Sequence, residues 1–298
     1  MIPISNGLPE AHRAANSAAP RRDAPAAPAP PGSLALLVRF AALAIAEALA
    51  RRSDSAGGDA PYSSTAEISR LVADLSALEP TQVGLDPGGE ASLARAALDL
   101  HLLAHPDEPL ARVERGLGLD NVERDLLCIV LAFSVEPRIG LLIGHVHDSL
   151  QRVRPTHGAI AEILRDPVAV GLALDPARPL RRALVVELDR HGPDGVLAID
   201  PRIVTYVASA ALSPLCSAAG RLTLTPPGDL PRASVDAAQQ VAPHTSIVVR
   251  GPSGAGRQSA ARALAARELR PLLRLDLGAG DTSQVVSCAL RDARILGA

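Results

Sequence analysis

The sequence predicts an α/β protein in which a mainly helical region is followed by a short βαβα run. Three observations carry this. Apolar residues recur at helical spacing through residues 34–164 between Gly- and Pro-marked turns. The period then changes, with two short strand-like runs on either side of the sequence HGPDG at 191–195. Finally the β-branched run Ile247, Val248 and Val249 leads through a glycine-rich loop into a further helical pattern at Arg257.

Residues 1–32 are rich in Ala, Pro and Ser and end near the run APAAPAPP, which cannot bury enough apolar surface to fold and reads as a disordered tail. Residues 33–90 read as a helical segment with loops. Ser33 can cap a helix over 34–52, with Leu36, Leu37, Phe40, Leu43 and Leu49 available for burial. Ser64 or Thr65 opens a second, striped by Ile68, Leu71, Val72 and Leu75. Residues 91–213 are denser in helix. One helix over 92–105 sets Leu93, Ala96, Ala97, Leu100 and Leu103 on one side, and a short one over 108–116 closes at glycine. Asp120 or Asn121 caps another that runs to Phe133, Pro137 opens one carrying Ile139, Leu142, Ile143 and Val146, and the last spans 156–164. Short helices joined in this way suggest a helix-turn-helix bundle. Strands over 182–188 and 196–199 then form a hairpin, and Asp200-Pro201 caps a helix over 202–210. Helices followed by such a hairpin describe a winged-helix domain. Residues 214–243 are a Pro-rich linker with a weak strand at 222–224.

Residues 244–298 contain the stretch that asks most specifically for a ligand. Glycines let successive backbone N–H groups turn inward around a phosphate at the positive end of the following helix. Gly251, four residues and Gly256 make the glycine frame of a P-loop, which would continue with Lys and then Ser or Thr; here Arg257 and Gln258 follow. The expected nucleotide-binding residues are Gly251, Pro252, Ser253, Gly254, Ala255, Gly256, Arg257, Gln258 and Ser259, with ATP as the ligand and Mg2+ as its companion. In this reading Arg257 stands in for the phosphate lysine, which it matches in charge but not in shape. Gln258 or Ser259 is a weak substitute at magnesium, because a carboxamide does not ligate as a hydroxyl does and the serine comes one place late. The competing reading is an ordinary strand-to-helix turn in a chain with 23 glycines. A serine-hydrolase elbow is excluded, since Gly251, Ser253 and Ala255 lack its second glycine.

A strand over 272–277 and a helix over 282–296 complete βαβα, the opening of a doubly wound parallel sheet. No third strand ending in acidic residues follows, so no catalytic residue is assigned and hydrolysis is not expected of these residues alone. From Ser246 onward eight arginines stand against four acids, which suits a phosphate ligand.

Composition narrows the classes further. At 298 residues the chain holds about two domains, and its 47% hydrophobic content supports a core. That core is aliphatic, because the chain has two Phe, two Tyr and no Trp, too few aromatics for a stacking platform on single-stranded nucleic acid. All thirty basic residues are arginine, and the net charge of −2 gives no general attraction to a polyanion. Cys128, Cys216 and Cys288 lie far apart in apolar surroundings and read as free thiols in a reducing compartment. The apolar segment over 34–50 contains Arg39 and Glu47, which fits neither a signal peptide nor a membrane span, so a cytoplasmic location is expected. His145 and His147 sit two apart on a helix and point different ways, so they read as core or solvent histidines and no metal site is assigned. Glu123, Arg124 and Asp125 read as a salt-bridged surface turn, and Asp276 as a structural residue near the ligand-binding edge of the sheet.

The residues VERDLLCIVL at 122–131, Glu136-Pro137-Arg138, Arg154-Pro155-Thr156, Asp200-Pro201-Arg202-Ile203 and RGPSGAGR at 250–257 resemble the AAA+ ATPases that accompany bacterial contractile, phage-tail-like injection systems. The resemblance covers residues 92–298. It implies ATP binding, a homo-oligomer, and protein partners within a contractile particle, and the chain then reads as the N-terminal piece of such an ATPase. Two other uses remain open. A winged helix can bind DNA, yet the expected reading helix at 156–164 holds no arginine, with Arg152, Arg154 and Arg165 only flanking it, so protein docking is the better use. The phosphate loop can also be vestigial in a nucleotide-insensitive adaptor.

Overall fold

The computed structural model describes residues 32–55, 65–76, 89–210, 216–217, 220–225, 256–277 and 282–298. The expected tail, most of the linker, the strand at 247–249 and the loop residues Gly251, Pro252, Ser253, Gly254 and Ala255 lie outside them. One long helix, α1 (Ser33–Ser55), runs through the centre of the fold. Its Leu- and Ala-rich sequence has high helix propensity, and it is buried on nearly every side, as a helix apolar all round must be. By length and composition Ser33–Ser53 could cross a membrane, but most of it is buried among the helices packed around it.

Polar residues on α1 serve the ends of its neighbours. Glu47 Oε1 accepts the Ala91 N–H at 2.9 Å, capping the N-terminus of α3 (Glu90–Ala104), whose own cap residue Gly89 has no side chain to offer. Arg51 donates to the carbonyls of Glu162 and Ile163 at 3.2 and 3.3 Å, in the last turn of α7 (His157–Leu164). Arg52 donates to the Val146 carbonyl that ends α6 (Ile139–Val146) and pairs with Asp148 at 3.0 Å. An acid meets a helix start and two cations meet helix ends, the signs the helix dipole favours.

The second helix, α2 (Thr65–Ser76), buries Ile68, Val72, Ala73 and Leu75 as its stripe predicts. In α3 the predicted apolar side faces outward instead. Ala91, Ala94, Leu98 and Leu102 are buried, while Leu93, Leu100 and Leu103 are exposed. This helix is apolar on two faces, so spacing alone could not choose between them. Arg95 makes the choice: its guanidinium lies 5.8 Å from the centre of the Phe40 ring and pairs with Asp125 at 2.6 Å. Next come α4 (Pro109–Leu117) and α5 (Asn121–Val135). Asp120 caps α5 in a reciprocal box with Glu123. From Leu126 to Ala132 every residue of α5 is fully buried. Glu123, expected on a surface turn, is buried and held 3.2 Å from Arg178.

The remaining elements of this region are α6, α7, α8 (Pro167–Ala173), α9 (Pro179–Arg182), the strands β1 (Val186–Leu188) and β2 (Leu197–Ile199), and α10 (Pro201–Ser209). Asp200 caps α10 with Pro201 in its first turn, as the sequence predicts. After it come β3 (Cys216–Ser217), β4 (Gly220–Thr225), α11 (Arg257–Arg267), β5 (Leu272–Leu277) and α12 (Ser283–Leu296).

Of the α/β expectation the mainly helical winged-helix part is found, while the strand at 247–249 that would make the later sheet parallel lies outside the described residues. Among the described residues the fold is mainly helical, and both of its small sheets are antiparallel. The weak run at 222–224 becomes β4, which pairs with β5 in the register Leu222↔Leu275. Pairing partners are chosen by long-range geometry, which the local pattern of 272–277 does not contain.

The helix α12 docks onto α4 and the start of α10. A Cβ on Gly116 would stand 2.7 Å from the Arg294 carbonyl, so the two backbones meet there without a side chain between them. Beside this contact Arg291 is fully buried. It donates to the Leu184 carbonyl at 2.9 Å, Asp200 Oδ2 at 2.6 Å and Asp292 Oδ1 at 3.0 Å, and Asp292 takes Arg202 at 2.5 Å. The cluster of two arginines and two aspartates is neutral as a whole. Arg291→Ala leaves the half-buried Asp200 without its cation and the buried Asp292 with Arg202 alone, and is expected to cost about 3 kcal/mol in urea unfolding.

A second buried charge offers a pH test. Burial holds the Glu114 carboxyl above its ordinary range, opposed by Arg95 at 4.0 Å and Arg124 at 3.4 Å. A carboxyl raised on folding contributes stability that is complete below its unfolded value, about 4.3, and is lost as pH rises through the folded one. The stability of the wild type relative to Glu114→Gln is therefore expected to fall as pH is raised from about 4 to 7, measured by denaturation at each pH.

Candidate functional site

The helix-turn-helix pair is α7 and α8, and each start is built by a side-chain cap. Thr156 accepts the Ala159 N–H at 3.2 Å, and Asp166 accepts the Ala169 N–H at 2.8 Å ahead of Pro167. Between them Arg165 ends α7 with φ of 61°, which turns the chain sharply into the second helix. The hairpin β1–β2 follows with Val186 opposite Ile199 and Leu188 opposite Leu197. Thr156 bridges Val196, and the Leu197 N–H donates to the Pro155 carbonyl at 2.9 Å, so the segment ahead of α7 runs along the hairpin as a third strand would.

The hairpin loop is fastened to α7. His157 and Gly158, whose N–H groups have no partner inside the helix, donate to the carbonyls of Gly195 and Pro193, each at 2.8 Å. Arg152 pairs with Asp194 at 2.5 Å, and Arg190 donates to the Asp194 carbonyl. Gly195 has no room for a side chain, because a Cβ would run into the Arg190 carbonyl and the Leu188 side chain. Two of the basic residues near this surface are thus tied to one aspartate, and Glu187 and Asp189 add acid on β1 and the loop.

The second helix of the pair, which presents itself to a partner in this arrangement, is α8 and not the expected 156–164 helix. It buries Val170 and Ala173 and exposes Val168 at 72% and Leu172 at 63%, four residues apart on one face. Its sequence PVAVGLA contains no basic, amide or hydroxyl side chain. Neither α8 nor these residues are among the sequence expectations, although Asp166-Pro167 is a helix-start signal that marks them.

A family of winged helix domains, described as a variant form, matches residues 35–212. The chain belongs to this family. No curated protein and no solved structure matches it. The match begins inside α1 and closes just beyond α10, so this winged helix domain includes the central helix as well as the hairpin.

Of the expected nucleotide-binding residues, Gly256, Arg257, Gln258 and Ser259 are described. Gly256 has φ of 75° and precedes α11, whose first turn carries Arg257, Gln258 and Ser259 and no acid. Arg257 and Gln258 are exposed. Asp276 pairs with Arg274 at 2.7 Å and lies opposite Arg221 in the sheet register, which gives it a structural role. His145 is buried in α6; the His147 ring nitrogen lies 3.3 Å from the Arg154 carbonyl, and burial lowers its pKa. No group of metal-ligating side chains occurs among the described residues. Cys128 and Cys288 are free and buried, and burial raises both thiols.

Gly195→Val is expected to displace the hairpin loop and cost about 2 kcal/mol or more. Hydrogen exchange checks it, with protection lost at the His157 and Gly158 amides.

Proposed function

We propose that this winged helix domain is a protein-docking module whose contact surface is the outer face of α8. The observation that carries the reading is the exposure of Val168 and Leu172 on the second helix of the pair, with no side chain there able to read a base edge. A DNA reader places Arg, Asn or Gln on that helix and basic residues around it. Here α8 itself presents apolar surface, and of the basic residues beside it Arg152 and Arg190 are engaged with Asp194, while Arg154 and Arg165 are exposed. Photo-crosslinking from residue 172 is expected to give discrete protein adducts that Val168→Glu abolishes. Nuclease-sensitive adducts, or duplex binding that weakens steeply with salt, would establish the DNA reading instead.

A second reading concerns residues 251–259. We infer that they hold the phosphates of ATP, with Mg2+ near Gln258 or Ser259 and Arg257 as the phosphate cation. What favours this is the left-handed Gly256 ahead of a helix whose first turn has an arginine and no acid. The homo-oligomer and the contractile-particle partners implied by the AAA+ resemblance belong to this reading. Arg257→Ala is expected to weaken binding of a fluorescent ATP analogue by about tenfold or more. Unchanged affinity, or no affinity in the wild type, would leave α11 as an ordinary helix after a turn.

A further inference from the structure

The helix α3 is apolar on two opposite faces, and the rest of the described chain covers only one. Ala91, Ala94, Leu98 and Leu102 are buried, and the inward rotation is fixed at one end by Glu47 and in the middle by Arg95. On the other side Leu93, Ala96, Ala97, Leu100, Leu103 and Ala104 form one stripe, in which the three leucines are 73%, 69% and 81% exposed. Positions 93, 96, 100 and 103 follow the three-four heptad spacing, with leucine at three of them and alanine at 96, and Ala97 and Ala104 lie beside them. An apolar stripe left open to water on a helix whose other apolar face is already buried calls for a partner.

The charges beside the stripe indicate what lies there. Glu90 and Asp99 flank it, and past the end of the helix stand Glu108 and Asp107, the latter paired with Arg112 at 3.0 Å. The only arginine of α3, Arg95, has its side chain 12% exposed and is spent on Asp99, Asp125 and Glu114. His101, on one flank, is held 2.9 Å from Glu108. The border of the stripe is therefore net acidic, since Glu90, Asp99, Asp107 and Glu108 stand against Arg112 and an Arg95 shared among three carboxylates. A second copy of the same surface would bring like-charged borders together, whereas an apolar helix bordered by Lys or Arg gains from both the stripe and its rim.

We propose that the outer face of α3 is a docking site for an amphipathic, basic-flanked helix of a partner protein. The stripe supplies the apolar anchor positions of a helix pair, and the acids set the orientation and the choice of partner. The site is on a different helix from α8, and the proposal does not rest on the α8 reading.

The test uses the full chain and two labelled synthetic peptides of about three heptads, both with Leu at the core positions. One carries Lys at the flanking positions and the other Glu, so that like charge keeps each from pairing with itself. By fluorescence anisotropy at low salt the Lys peptide is expected to bind at least about tenfold more tightly than its Glu twin. Leu100→Gln, neutral and compatible with helix, is expected to weaken that binding by about tenfold without altering the melting curve. Should that variant melt early, Leu103→Gln at the most exposed position replaces it. Equal binding of the two peptides, no binding of either, or no effect of the substitution would overturn the proposal. So would a dimer of the free chain, seen by sedimentation, that Leu100→Gln dissociates, since the occupant would then be a second copy.

Discussion

The fold depends on a single helix that carries its neighbours' missing hydrogen-bond partners. Every helix leaves unpaired N–H groups at one end and unpaired carbonyls at the other, and burying an end without partners is costly. Glu47, Arg51 and Arg52 place an acid and two cations from α1 on the ends of α3, α7 and α6. Apolar contact along Leu37, Ala41 and Ile45 brings those helices to α1. Hydrophobic contact is non-directional, so the three charged residues are what fix where along α1 each neighbour stops. Glu47, which with Arg39 argues against a membrane span in the sequence, thus becomes a specific connection in the fold.

Much of this region was legible from local chemistry. The stripe of α2, the cap at Asp120, the Asp200-Pro201 start and the hairpin around HGPDG all follow from signals a few residues long. What was not legible depended on distance. The orientation of α3 is set by Arg95 meeting Asp125, 30 residues away, and periodicity says nothing about that pairing. The antiparallel partner of β5 lies about 50 residues upstream, across a segment dense in proline and glycine. The α8 helix is only seven residues long, too short for a hydrophobic period to stand out, and was lost between the better marked α7 and the hairpin.

The same contrast separates the two functional readings. Glycine spacing makes the 251–259 stretch conspicuous in sequence, and its described portion is the opening of α11. The α8 surface is inconspicuous in sequence because Val168 and Leu172 look like core residues. Only their position on the outside of the helix-turn-helix gives them meaning, since burial is the default for such side chains and exposure is what calls for explanation.

The junction of α4 with α12 bears on how the molecule is made. Asp200 leaves the ribosome 91 residues ahead of the Arg291 that neutralises it. At about 5 to 20 residues per second that interval is roughly 5 to 18 seconds, long compared with the folding of helices. During biosynthesis the groove at Gly116 and the carboxylate of Asp200 therefore wait in solvent until the late-arriving helix closes over them.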